Sequence, residues 1–171
     1  HQLVRRAAWL RRFPWIKKPN VDYTVPLSIQ EIEEAELAVI RRIQAIEFKA
    51  EIECYEKQNL FTKKSRCYKL APFIDESSVL RIGSRLGRLS SFGVALTPPA
   101  ILPQAGHFTE LVIFEIHQKN YHVGIEHTLA LTRRSYWIIG AKVAIRKIIA
   151  KCNACRFQYA QPSRQRMAPL P

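Results

Sequence analysis

Two histidines with four residues between them, His117 and His122, are followed thirty residues later by two cysteines with two residues between them, Cys152 and Cys155. Imidazole nitrogen and thiolate sulfur are the donors that a tetrahedral zinc ion takes. Each short spacer lets both members of a pair reach one ion, one pair from a helix end and the other from a tight turn. A site with four protein donors leaves no open position for water, so such an ion would be structural and not catalytic. Either pair alone has a blander reading: buried small residues or a redox dithiol for the cysteines, surface or core imidazoles for the histidines. Together they point to one structural zinc ion on His117, His122, Cys152 and Cys155. His127 follows His122 at the same spacing and offers a second pairing; placement at a helix end favours His117. His1 and His107 read as surface or capping residues.

The segments around these residues must position them. Phe108 to Gln118 has helical character, with Thr109 or His107 as its cap and His117 at its end. Gly124 breaks the chain, and Ile125 to Arg134 forms a second helix. Tyr136–Ile139 is a short apolar stretch closed by Gly140. Ala141 to Ala150 is a third helix, with Val143, Ile145, Ile148 and Ile149 inward and Lys142, Arg146 and Lys147 outward. Cys152 to Cys155 is the turn after it. A helical unit of this size has little core of its own, which is a physical reason for a metal to be there.

Upstream, Leu3 to Phe13 has helical spacing of Leu3, Ala7 and Leu10, ended by Pro14 and Pro19. Ser28 and Glu31 form a capping box that opens the strongest helix. Its stripe of Ile32, Ala35, Val39, Ile43, Ile46 and Ala50 runs toward Lys57; Leu37, Ile40 and Phe48 lie off it. The segment is either one helix of about thirty residues, about 45 Å long, or two helices with an unmarked break. The heptads are not clean, which favours packing over a coiled coil. Between Cys67 and Pro103 the texture changes to prolines, glycines and short apolar runs. Val79–Ile82, Leu86–Leu89 and Ala100–Leu102 read as strands of a small antiparallel sheet.

The expected fold is therefore mainly α with a small antiparallel β element: a long N-terminal helix, a short sheet, then a zinc-stabilised helical bundle. The expected organisation is a basic helix and linker over 1–27, a long amphipathic helical segment over 28–66, and a small β-rich extension over 67–106. A metal-binding helical unit over 107–160 and a basic, proline-containing linker over 161–171 complete it. The chain starts at His1 and stops at a proline, and it reads as a piece of a larger polypeptide.

The formal net charge is +13, and it is unevenly placed. From His117 onward ten Lys or Arg stand against one acid, Glu126, a net +9. From Ser28 to Lys57 eight Glu stand against four Lys or Arg. A localised basic region suits a polyanion such as nucleic acid; the alternative is a solubilising surface. The candidate phosphate contacts are Arg133, Arg134, Lys142, Arg146, Lys147, Lys151, Arg156, Arg164 and Arg166. Such contacts make binding salt-dependent and largely blind to sequence; Asn153 and Gln158 are the few side chains suited to base edges.

No signal peptide is evident, because Arg5, Arg6, Arg11 and Arg12 interrupt the first apolar segment. No apolar run reaches the roughly eighteen residues of a membrane span. Cys54 and Cys67 belong to no motif, and a disulfide between them is left open. A reducing compartment, nucleus or cytoplasm, is expected. No catalytic residue is assigned. Asp22 and Asp75 have no second carboxylate at helical spacing, Asp75-Glu76 suits a turn, and no phosphate-cradling glycine loop is present. Neither a membrane nor a small-molecule substrate is expected.

The order His117-Gln-Lys-Asn-Tyr-His122-Val-Gly124, then Thr128, Tyr136-Trp137-Ile138 and Cys152-Asn-Ala-Cys155, resembles the His-His-Cys-Cys zinc-binding domain of retroelement integrases. The resemblance supports His117 with His122, since His127 falls where that pattern is indifferent. Leu70-Ala-Pro-Phe73-Ile-Asp75-Glu76, Leu80-Arg-Ile-Gly83-Ser-Arg85-Leu86 and Pro99–Pro103 resemble the segment before that domain in Bel/Pao-type retrotransposon polyproteins. Ser84 departs from the pattern, which usually has a second glycine there. The resemblance implies a parent polyprotein with reverse transcriptase and integrase, a catalytic core beyond Pro171, and a non-catalytic role for this piece. That role would be binding element DNA ends and helping integrase subunits self-associate. Two alternatives stay open: a domesticated protein-interaction module, and a structural spacer of the polyprotein.

Overall fold

In the computed structural model, residues 2–12, 25–58, 61, 63, 65–83 and 97–161 are described. The capping box sets the first long helix. The Ser28 hydroxyl accepts from the Glu31 amide at 3.2 Å, and the Glu31 carboxylate accepts from the Ser28 amide at 2.8 Å. Two orphan donors at the start of α2 (Ile29–Glu47) are thereby satisfied. The same carboxylate takes two bonds of 2.8 Å from Arg12, the last residue of α1 (Gln2–Arg12). The α1 helix lies along α2 and buries Val4 and Ala8. Leu10, expected inward, is 72% exposed, because a stripe through Val4 and Ala8 turns it outward.

The long helical segment is two helices. α2 ends at Glu47 and α3 spans Lys49–Gln58, with Phe48 between them at φ −118° and ψ 28°. The Phe48 amide still reaches the Gln44 carbonyl, and the Ile52 amide reaches the Phe48 carbonyl. The axis thus bends without losing its ladder. The bend drives Phe48 fully inside, against Cys67, Leu80, Ile82 and Ile101. It also takes Ile46 and Ala50 off the buried stripe to which periodicity assigned them. Ile40, placed off the stripe by period alone, is buried because α2 has α1 on one side and the sheet on another.

Among the described residues the sheet has four short strands in the order β1 (Phe73–Ile74), β2 (Leu80–Arg81), β3 (Ala100–Leu102) and β4 (Tyr136–Ile138). The first three pair antiparallel, Phe73 opposite Arg81 and Arg81 opposite Ala100. Asp75 shapes the first turn: its carboxylate accepts from the Val79 amide at 2.8 Å and pairs with Arg81. Leu86–Leu89, the other expected strand, lies outside the described residues. The fourth strand comes from the Tyr136–Ile139 stretch and runs parallel to β3, with Ile101 opposite Trp137. Parallel neighbours need a long crossover; here it is α4 (His107–Lys119) and α5 (Ile125–Thr132). α6 (Ala141–Lys151) and α7 (Asn153–Gln158) complete the chain as described. The fold is mostly helical with one small sheet. A single buried cluster runs from Val4 and Ala35 through Leu102 and Ile113 to Ile138 and Ile145. The helices that carry the metal-type donors therefore share a core with the upstream helices.

Gln44 fastens α2 to that sheet. Its amide nitrogen donates to the carbonyls of Leu80 at 2.9 Å and Ile101 at 2.8 Å, and its oxygen accepts from the Leu80 amide at 2.8 Å. The side chain is 1% exposed. Replacing it by Leu strands one donor and two acceptors between β2, β3 and α2. We expect Gln44→Leu to lower unfolding stability by about 3 kcal/mol, read from the urea midpoint; an unchanged midpoint would show that water replaces the amide.

The Arg12 guanidinium, and next the Ser28 amide, hold the Glu31 carboxyl at about 2, below its ordinary value of 4.5. A carboxyl held lower in the folded chain stabilises it above pH 4.5, and the contribution fades as pH falls toward 2. Acid titration of helical circular dichroism should therefore show a loss in that window that Glu31→Gln removes. A wild-type curve identical to that of the variant would contradict it.

Candidate metal centre

The last turn of α4 delivers His117, fully buried. Its Nδ1 lies 3.0 Å from the Val123 carbonyl. A carbonyl only accepts, so that nitrogen carries the proton and Nε2 is left with its lone pair. Beyond α4 the chain reverses through Tyr121 (φ 57°) and His122 (φ 59°), both left-handed. The reversal is closed by the His122 amide on the His117 carbonyl at 2.8 Å. Left-handed backbone costs about 1 kcal/mol per non-glycine residue. Here it folds His122 back onto His117, placing His122 Nδ1 3.1 Å from His117 Nε2.

The cysteines arrive from the junction of two helices. Cys152 ends α6 and begins α7, with the extended dihedrals of an N-cap. Cys155 lies in the first turn of α7, so the expected turn is the start of a short helix, and the two-residue spacer puts both sulfurs on one side of it. α6 itself is seated by Ala144, Ile145 and Ile148. Val143, expected inward, is 61% exposed, because a residue two positions from Ile145 points to the other side of a helix.

Cys155 Sγ is 3.2 Å from His117 Nε2 and 3.9 Å from His122 Nδ1, and Cys152 Sγ is 3.3 Å from His122 Nδ1. All four donor atoms lie within 4.8 Å of one another. Bonds of about 2.0–2.3 Å to a tetrahedral ion separate donors by roughly 3.3–3.8 Å; the donor types suit zinc, the contacts of 3.1–3.9 Å lie near that range, and the widest separation, 4.8 Å, would close by about 1 Å around an ion. Burial first, and then Cys152 beside it, push the Cys155 thiol above its ordinary value. A cation among the sulfurs reverses that preference by favouring thiolates.

The structure brings together the four residues proposed from spacing. His127 is exposed on α5 and His107 is exposed at the start of α4. The expected caps of α4 differ too. Gly106 is the N-cap, and Thr109 is buried with its hydroxyl on the Pro103 carbonyl at 3.1 Å. Cys67 is a free and fully buried thiol, so no disulfide joins it to Cys54; burial, then Glu51, raise it to about 11.

Residues 106–159 match the family model of the integrase zinc binding domain. The matched span starts on the N-cap of α4 and ends on the C-cap of α7. No curated protein and no solved structure matches the chain.

Of the basic candidates, Arg134, Arg146, Lys147, Lys151 and Arg156 are exposed. Lys142 is ion-paired with Glu126, and Arg133 lies over the Trp137 ring, 4.8 Å from its centroid. Arg164 and Arg166 lie outside the described residues.

A positioning residue emerges only in three dimensions. Thr128 is fully buried, and its hydroxyl donates to the carbonyls of Gly124 at 3.0 Å and Val123 at 3.3 Å. The Val123 carbonyl is the one that holds His117 Nδ1, so Thr128 fixes the orientation of a donor it does not touch. The sequence marked Thr128 only through the family likeness. Removing such an outer partner weakens metal binding by about 10- to 100-fold. Thr128→Val, which keeps the shape, should lose at least about 10-fold in zinc affinity by chelator competition; retained affinity would show that the Val123 carbonyl is held without it.

Proposed function

We propose that this chain is a zinc-stabilised, non-catalytic module of a retrotransposon integrase that binds element DNA ends through phosphate contacts and helps integrase subunits assemble. The observation that carries the reading is the four-donor cluster inside residues 106–159, the span that matches an integrase zinc binding domain. His117, through Nε2, and His122, through Nδ1, would hold one zinc ion with the thiolates of Cys152 and Cys155. The ion supplies cross-linking of α4 to α7 and no reaction. The Bel/Pao-type origin rests on the upstream residues quoted above, and a nuclear and cytoplasmic location goes with the same reading.

The exposed side chains of α6 and α7 support the DNA part. Arg146, Lys147, Lys151 and Arg156 project from helices whose other sides are anchored by Ile145, Ile148 and Cys155. Among the described residues no acid follows Glu126, and Glu126 itself is held by Lys142. Fixed cations on a rigid base displace counterions from a phosphate backbone.

One observation favours the second reading, a protein-interaction module. An open groove of about 940 Å³ runs between α1 and α4, with Leu3, Val4, Phe108, Leu111, Val112 and Leu131 among its walls.

The deciding measurement is duplex DNA affinity across a salt series for the zinc-loaded chain. We expect a steep slope that becomes shallower by roughly 3 when Arg146, Lys147 and Lys151 are all changed to Gln, and one zinc per chain that Cys152→Ser loses. A slope near zero for the wild type would sink the nucleic-acid role, and absence of zinc in a folded chain would remove its foundation.

A further inference from the structure

The elements that deliver the four donors are held in the molecule to very different degrees. α4, α5 and α6 enter the main buried cluster through Ile113, Leu129, Ile145 and Ile148, beside Ala35 of α2 and Leu102 of β3. α7 enters neither buried cluster. Asn153, Ala154, Arg156, Phe157 and Gln158 are all exposed, and the one buried side chain within α7 is Cys155. The histidine side of the site is secured without the cysteines. The His122 amide holds the His117 carbonyl, and the Val123 carbonyl takes bonds from His117 Nδ1 and the Thr128 hydroxyl. His117 and His122 are therefore arranged by α4, α5 and the turn between them.

Nothing comparable secures α7. Isolated helices shorter than about 12 residues are marginal in water, and α7 has six. The Arg156 amide bonds to the Cys152 carbonyl at 2.9 Å, and the Tyr159 amide to the Cys155 carbonyl at 3.0 Å. Those bonds close within the helix and its cap, and they tie it to no other element. What brings α7 to α4 is Cys155 Sγ, 3.2 Å from His117 Nε2. A thiol is a weak donor to that nitrogen. As ligands of one ion, the same two atoms would cross-link the helices.

We infer that the zinc site is a local clamp on a body that folds without the ion: occupancy closes α7 onto α4, and release opens α7 alone. The inference rests on the proposed zinc site and goes beyond it. Small metal-bound units are commonly unfolded without their ion. Here the core shared with α1, α2 and the sheet takes over that task, and the ion is left with one short helix. Such an opening is a local unfolding, confined to the element with the fewest buried contacts. Arg146, Lys147 and Lys151 stand on α6, which the core holds, and Arg156 stands on α7. Zinc occupancy thus decides whether Arg156 is fixed relative to the other three cations.

The test is amide hydrogen exchange of the full chain, read by mass spectrometry, first zinc-loaded and then stripped with a chelator. Zinc content is measured on the same samples. In the stripped chain, peptides covering α2, β3, α4 and α6 should stay protected, while those covering 153–159 exchange as free chain. Free zinc at about 100 times its Kd should return roughly 100-fold protection to α7. Cys155→Ser should reproduce the stripped pattern at any zinc concentration, with a cooperative thermal transition retained. Loss of protection throughout the stripped chain overturns the inference, because the ion then holds the whole fold. Protection of α7 that persists without zinc also overturns it, assigning the helix to packing. Either pattern in a chain that binds one zinc sinks this inference alone; a folded chain that takes up no zinc sinks the proposed function with it.

Discussion

Four lone-pair donors converge in one largely buried place, and much of the C-terminal half is arranged to hold them there. Two sulfurs and two imidazole nitrogens within 4.8 Å repel one another as thiolates and bases, and a cation turns that repulsion into attraction. The left-handed turn at Tyr121 and His122, the Val123 carbonyl on His117, and the abrupt passage from α6 into α7 at Cys152 each cost conformational freedom. They recur around a single point. A zinc ion bound there would contribute on the order of 10 kcal/mol, several-fold more than the strain of two left-handed residues.

The metal centre does not stand alone. β4 pairs parallel to β3, and Gln44 bonds to β2 and β3 from the other side, so α2, the sheet and the donor-bearing helices form one connected body. The Tyr136 hydroxyl donates to Glu36, a further tie between β4 and α2; burial first, and then that carboxylate, push the tyrosine well above its ordinary value. The upstream helices therefore act on the donor cluster through packing, and a loss in the upstream core should be felt as a change in how α4 and α6 are held.

Charge is distributed with equal consequence. The acids of α2 are partly spent on α1, where Arg12 grips Glu31 and Arg11 reaches Glu34. The only acid from His117 onward is spent on Lys142. The charge that remains exposed on α6 and α7 is cationic, on a base held by Ile145, Ile148 and Cys155. Rigid display of charge costs little further ordering when a polyanion arrives.

Much of this was legible in the sequence. The donor types and their two spacings, the Ser28–Glu31 cap, the β3 strand and the amphipathic α6 are decided by residues a few positions apart, so local periodicity and hydrogen bonding suffice to read them. What only the tertiary structure decided is long-range. Helix-end placement and the family likeness already favoured His117 over His127; the way His122 is folded back onto it depends on a left-handed turn, and the orientation of its ring on a carbonyl held by Thr128. Tyr136–Ile139 read only as a short apolar stretch; its part in the sheet was not visible, because its partner β3 lies more than thirty residues earlier, across two helices. The break at Phe48 carries no proline or glycine; what marks it is the cluster of Cys67, Leu80 and Ile101 around that ring, whose members lie far from it in sequence. Lys142 looked like any other surface cation until Glu126 was placed beside it. Sequence determines what each segment is able to do by itself; burial and pairing between distant segments determine which of those possibilities is taken.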